Sequence, residues 1–118
     1  MRNIKLILEY DGSAYHGWQR QTNALTVQEV LEAALGKITG EQVSVTGCGR
    51  TDAGVHARAY VCNFKTAAAI PPDRVAYALN SVLPEDIICK ESAEAAQDFD
   101  SKRSEMCIRD SCYRVYRQ

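Results

Sequence analysis

No stretch of this sequence approaches the roughly 18 consecutive apolar residues of a membrane span, and Met1-Arg2-Asn3-Ile4-Lys5 lacks the apolar run of a signal peptide. The expected location is the cytoplasm, with no membrane partner. No Cys-x-x-Cys pair occurs among Cys48, Cys62, Cys89, Cys107 and Cys112, and five is an odd number. Neither a zinc ribbon nor a paired disulfide framework is therefore suggested, leaving free buried thiols as the expectation. His16, His56, Cys48 and Cys62 offer no pair with ligand spacing on one element, so no metal is expected. Charge of one sign is also lacking. The 14 basic and 15 acidic residues leave a net charge of −1, which is no electrostatic footprint for nucleic acid. RNA binding then has to come from a local patch or from a missing part.

What is present has the balance of a soluble globular protein: 46% hydrophobic and 25% charged, without low-complexity tracts or internal repeats. A length of 118 residues suits one compact domain. Ile4, Leu6, Leu8 and Tyr10 alternate with polar residues as a half-buried strand requires, and Asp11-Gly12-Ser13 ends it. Thr26-Val27-Gln28-Glu29 has the form of a capping box. Val27, Val30, Leu31, Ala34, Leu35 and Ile38 follow the helical period up to a natural stop at Gly40. Short strands are predicted over 42–46 and 58–66, the second with Tyr60, Cys62 and Phe64 on one face. Pro71-Pro72-Asp73 opens a second helix that Leu83-Pro84 closes before a strand near 87–91. The order β-α-β-β-α-β fits an α+β, ferredoxin-like fold, an antiparallel sheet with two helices on one face. Many functions share that fold, so it assigns none.

Between the second and third strands lies Gly47-Cys48-Gly49-Arg50-Thr51-Asp52-Ala53-Gly54, in which the glycines let the backbone take unusual angles and approach a ligand. Arg50 and Asp52, two apart, point the same way in an extended stretch and are within reach of a charge-assisted pair. By residue type alone, a glycine-rich turn with a surface ion pair is the simpler explanation. A phosphate cradle is the less suitable one, because the Gly-Lys-Ser/Thr ending of a P-loop is missing and Asp52 would repel phosphate.

The longer string Gly49-Arg50-Thr51-Asp52-Ala53-Gly54-Val55-His56-Ala57 resembles the active-site signature of the TruA family of tRNA pseudouridine synthases. Tyr10-Asp11-Gly12-Ser13-Ala14-Tyr15-His16-Gly17-Trp18-Gln19-Arg20-Gln21 is similar to the family's amino-terminal motif, and Leu79-Asn80-Ser81-Val82-Leu83-Pro84-Glu85-Asp86-Ile87 to a third family stretch. The resemblance implies isomerisation of uridines in the tRNA anticodon stem-loop to pseudouridine, without metal or organic cofactor, by a homodimer. Asp52 then matches the catalytic aspartate. Arg50 matches an arginine that pairs with it and occupies the stem when the target base is flipped out. His56, entering a strand, is expected to pack or hydrogen-bond rather than act as a base. Trp18 and Tyr15 either stack on RNA bases or cover the core edge. Lys5, Arg20, Arg58 and Lys65 are candidate phosphate contacts.

Residues 1–100 are thus expected to form a synthase domain carrying the catalytic loop, with 101–118 an aberrant or truncated tail. Family members carry a second, similar domain that completes the cleft, and nothing here corresponds to it. After Phe99 the family continues to an active-site tyrosine whose spacing falls near Asp110. Glu105-Met106-Cys107-Ile108-Arg109-Asp110-Ser111 follows neither the family pattern nor a secondary-structure period, and it resembles translated sequencing-adapter sequence. Tyr113, in Cys112-Tyr113-Arg114-Val115-Tyr116-Arg117, is the candidate for that substrate-binding tyrosine. The 118-residue chain alone is expected to have little synthase activity. The alternative is a non-catalytic RNA-binding module of the RRM type, which shares the element order. Exposure of Tyr60 and Phe64 on an open sheet face would favour it.

Overall fold

Alternating side chains make strand β1 (Arg2–Tyr10), whose Ile4, Leu6, Leu8 and Tyr10 are buried beneath two helices. The computed structural model describes residues 1–49, 53–103 and 115–116. β1 is central, pairing antiparallel with β3 (His56–Thr66) on one side and β4 (Ile87–Ala95) on the other. The short β2 (Val45–Gly47) pairs with β3, giving the sheet order β2-β3-β1-β4. Helices α1 (Val27–Thr39) and α2 (Val75–Asn80) follow β1 and β3, which completes the expected ferredoxin-like α+β arrangement. A two-residue strand, β5 (Val115–Tyr116), pairs with Ala57 and His56 at the start of β3. Among the described residues, no helix is long and apolar enough to cross a membrane.

α1 forms where its capping box and apolar period place it. The Thr26 hydroxyl accepts from Glu29 N, and Gly40 closes the helix in the left-handed conformation at φ 73°. Its Val27, Leu31 and Leu35 are fully buried, each contributing about 1.5–3 kcal/mol through apolar area removed from water. α2 is shorter than the apolar stripe suggests, entered through a 3-10 turn at Pro72–Arg74 and ending at Asn80. Asn80 turns its amide to the sheet, where Nδ2 donates to Cys89 O at 2.9 Å and Oδ1 accepts from Cys89 N at 2.8 Å.

β2 departs from its predicted span, starting at Val45 rather than at residue 42. Side chains take the places of ladder partners: Glu41 Oε2 accepts from Ala67 N at 3.1 Å, just beyond the end of β3. On the outer edge of β2, Glu32 Oε2 accepts from Val45 N at 2.8 Å and Gln28 Nε2 donates to Val45 O at 3.0 Å. Those side chains blunt the edge against further pairing.

The sheet face opposite the helices is crossed by the chain leaving β4. Asn3 Nδ2 donates to Ala96 O at 2.8 Å and Phe99 O at 2.9 Å, and Asn63 Oδ1 accepts from both Ser101 N and Ser101 Oγ. Asn63 Nδ2 in turn donates to Asn3 Oδ1, so one buried polar network ties β1, β3 and this crossing segment. The segment ends in a 3-10 turn, Ser101–Arg103, packed on β2 and β3.

Candidate active site

Two glycines govern how the chain leaves β2 for the loop. At Gly47 a Cβ would overlap Tyr60 Oη and Trp18 Nε1, so only glycine fits. Cys48 N donates to Val61 O at 3.0 Å, continuing the contact with β3 for one more residue. Gly49 N then donates to Tyr60 Oη at 3.2 Å, and Tyr60 Oη donates to Gly49 O. The Tyr60 ring is buried, stacked on Trp18 with centroids 4.3 Å apart and tilted against Tyr10 at 5.9 Å. Burial raises the Tyr60 phenol above its ordinary range, and it stays protonated at neutral pH. A groove of about 490 Å³ runs beside this stem, with Gln19, Thr46 and Lys102 among its polar lining residues.

The exit stem is held by the amino-terminal motif. Gly54 adopts φ 78°, and its N–H donates to Tyr15 O at 3.2 Å. Gly12 lies so close to the Val55 carbonyl that no Cβ could be accommodated. His56 is buried, and its Nδ1 accepts from Gly12 N at 2.9 Å while standing 3.0 Å from Asp11 Oδ1. One nitrogen cannot serve both in the same state. Unprotonated, Nδ1 holds Gly12; protonated, it would exchange that bond for the Asp11 carboxylate. Hydrogen bonds from Ser13 hold the Asp11 carboxyl below its ordinary range, with His56 adding a smaller effect in the same direction.

Asp86 completes the frame, accepting from Asp11 N at 2.9 Å through its carbonyl and from Tyr15 Oη at 2.7 Å through Oδ1. Burial first, then the Asp86 bond, raises the Tyr15 phenol. Residues from all three family-like stretches therefore meet around the two stems of the loop.

Arg50 and Asp52, with Thr51 between them, lie outside the described residues, as does Tyr113. The RNA-contact candidates do not gather. Arg20 Nε and Nη2 both donate to Glu32 Oε1, at 3.0 and 2.7 Å, which ties this side chain to α1. Arg58 is exposed two residues into β3, near the loop, and Lys90 Nζ donates to its carbonyl at 3.2 Å. Lys65 is exposed near the other end of β3, roughly 30 Å from His56 at the usual rise of a strand. Lys5 is half-buried on β1 opposite Asn63.

His56 packs and hydrogen-bonds, as expected of it, and Trp18 and Tyr15 are core residues. Among the described residues, Cys48, Cys62 and Cys89 are buried and form no disulfide; burial pushes the Cys62 thiol well up and that of Cys89 up to about 11. Among the described residues, no group of three or more His, Cys, Asp or Glu side chains could hold a metal ion. Tyr60 and Phe64 face the helices rather than solvent, so the condition that would have favoured the RRM alternative is not met. The Tyr60 contact with Gly49 and the buttress of Gly12 on Val55 are not legible in the sequence. Glycine at position 12 was visible as part of a motif, but the contact that requires it was not.

A family model described as tRNA pseudouridine synthase matches residues 6–102. The chain belongs to this family. Among curated members, tRNA pseudouridine synthase A of Clostridium acetobutylicum is 57% identical over 102 residues, covering 86% of this chain and 42% of the relative. The same enzyme of Acetivibrio thermocellus is 56% identical over 102 residues with the same coverage. That of Ruminiclostridium cellulolyticum is 54% identical over 104 residues, or 88% of this chain and 42% of the relative. The chain thus spans about two-fifths of the length of these pseudouridine synthases.

Proposed function

We propose that this chain is the amino-terminal, loop-bearing part of a cytoplasmic, homodimeric tRNA pseudouridine synthase that acts on uridines of the anticodon stem-loop, with Asp52 as its nucleophile. The observation that carries the proposal is the nine-residue string from Gly49 to Ala57, whose two ends are held by buried tyrosines and by a close glycine contact. A carboxylate on such a loop suits a reaction that breaks the C1′–N1 bond of uridine, turns the base and joins C1′ to C5. N1 gains a proton and C5 releases one to solvent.

The target base must leave its stack, at a cost of about a few kcal/mol. Arg50, planar and permanently charged, pairs with Asp52 and then fills the space the base leaves. Arg58, beside the loop, contacts phosphate, with Arg20 and Lys65 as further contacts. Tyr113 binds the base, and the second domain closes the cleft.

The test is tritium release from tRNA labelled at C5 of uridine, using the full-length enzyme, with mapping of the pseudouridines formed. Release arising from the anticodon stem-loop is the expected result. Absence of release, or modification confined to other parts of the tRNA, would contradict the proposal.

A further inference from the structure

We infer that the Tyr60 hydroxyl is a positioning group for the catalytic loop: by binding both backbone polar groups of Gly49, it fixes the orientation in which the chain enters Arg50, Thr51 and Asp52. The inference rests on Asp52 being the reacting carboxylate, as proposed above. Tyr60 belongs to β3 and faces Leu8 of the central strand, so its backbone is held in the middle of the sheet. Its ring is wedged between Trp18 and Tyr10, and the hydroxyl lies against the bare Cα of Gly47. The oxygen is therefore a fixed point, reaching a residue 11 positions back in the sequence.

Gly49 is where such a fixed point matters. Glycine has the widest backbone freedom of any residue, and a free Gly49 would let the entry stem rotate. With its N–H and C=O both committed to one immobile oxygen, that freedom is removed. The exit stem is already fixed by Gly54 on Tyr15 O and by Val55 against Gly12. Rotation at Gly49 would change the direction in which the chain enters the loop, and a shift of about 1 Å at a reacting group can cost on the order of a hundredfold in rate. Gly49 is only partly buried, so water can replace the hydroxyl in its absence. The fold survives that exchange, but the orientation does not.

Tyr60→Phe in the full-length enzyme tests this, beside Asp52→Asn and a control, Ser92→Ala, which removes a buried hydroxyl between Pro72 O and Ala76 N, on the α2 side of β4. Tyr60→Phe is expected to lower kcat about ten- to a hundredfold with KM for tRNA within about twofold of wild type, the pattern of an interaction that matters to the transition state rather than to binding. Its melting temperature should fall no further than that of Ser92→Ala. Wild-type kcat in Tyr60→Phe, with Asp52→Asn inactive, would overturn the positioning role and leave the catalytic assignment standing. An active Asp52→Asn would remove the assignment on which the inference rests. Should Tyr60→Phe fail to fold, amide exchange at Gly49 of the wild-type protein decides: protection supports the latch, and exchange at the rate of an open amide overturns it.

Discussion

At Gly12 the absence of one carbon joins the amino-terminal motif to the exit of the loop. A methyl group there would overlap the Val55 carbonyl, and the adjoining N–H is bound to His56, 44 residues on. Gly12→Ala is therefore expected to destabilise the chain by about 2–3 kcal/mol, because backbone on both sides must move. A urea titration reads this as a lower midpoint with an unchanged slope. An unchanged midpoint would mean that Val55 yields without cost. In the sequence Gly47 and Gly49 belong to a loop with a general reason for glycine, backbone freedom, while Gly12 stands only in the turn that ends β1 and in the amino-terminal motif. Their particular reasons depend on which atoms arrive from β3 and the Val55 segment, and spacing along the chain does not encode that. Tyr60 is the clearer case: alternation identified its face correctly, while the destination of its hydroxyl depends on tertiary packing across several elements.

Among the elements, α1 was predicted to within a residue because its signals are local: a capping hydroxyl, an apolar period and a glycine stop. The bounds of β2 were misplaced because long-range side chains, Glu32 and Gln28 at its edge and Glu41 beyond β3, decide where pairing is possible. The crossing segment after β4 was not foreseen as structure, since its partners are two asparagines on strands far away in sequence. Asn63 makes three of these bonds, including both to Ser101. Asn63→Ala leaves buried groups of Asn3 and Ser101 without their partner, at a cost of about 1–3 kcal/mol. Limited proteolysis should then cut within residues 96–103 faster than in the wild type. Equal cutting rates would show that the asparagine network does not hold this segment down.

For the molecule as a whole, the sheet and both helices bring three separate sequence stretches to the two stems of one loop, through Tyr60, Tyr15, Gly12 and Asp86. Family membership was readable from contiguous residues, because the string from Gly49 to Ala57 is distinctive. The scattered basic residues were less informative, since only the fold separates Arg20, tied to Glu32, from Arg58 beside the loop. On the proposed function, the Asp52 carboxylate is the group on which turnover depends. Asp52→Asn in the full-length enzyme, assayed by tritium release from uridine-labelled tRNA, measures it most directly. The expected result is a loss of about a thousandfold or more, in line with removal of a positioned catalytic group, with tRNA binding retained. Pseudouridine formation near the wild-type rate would contradict it.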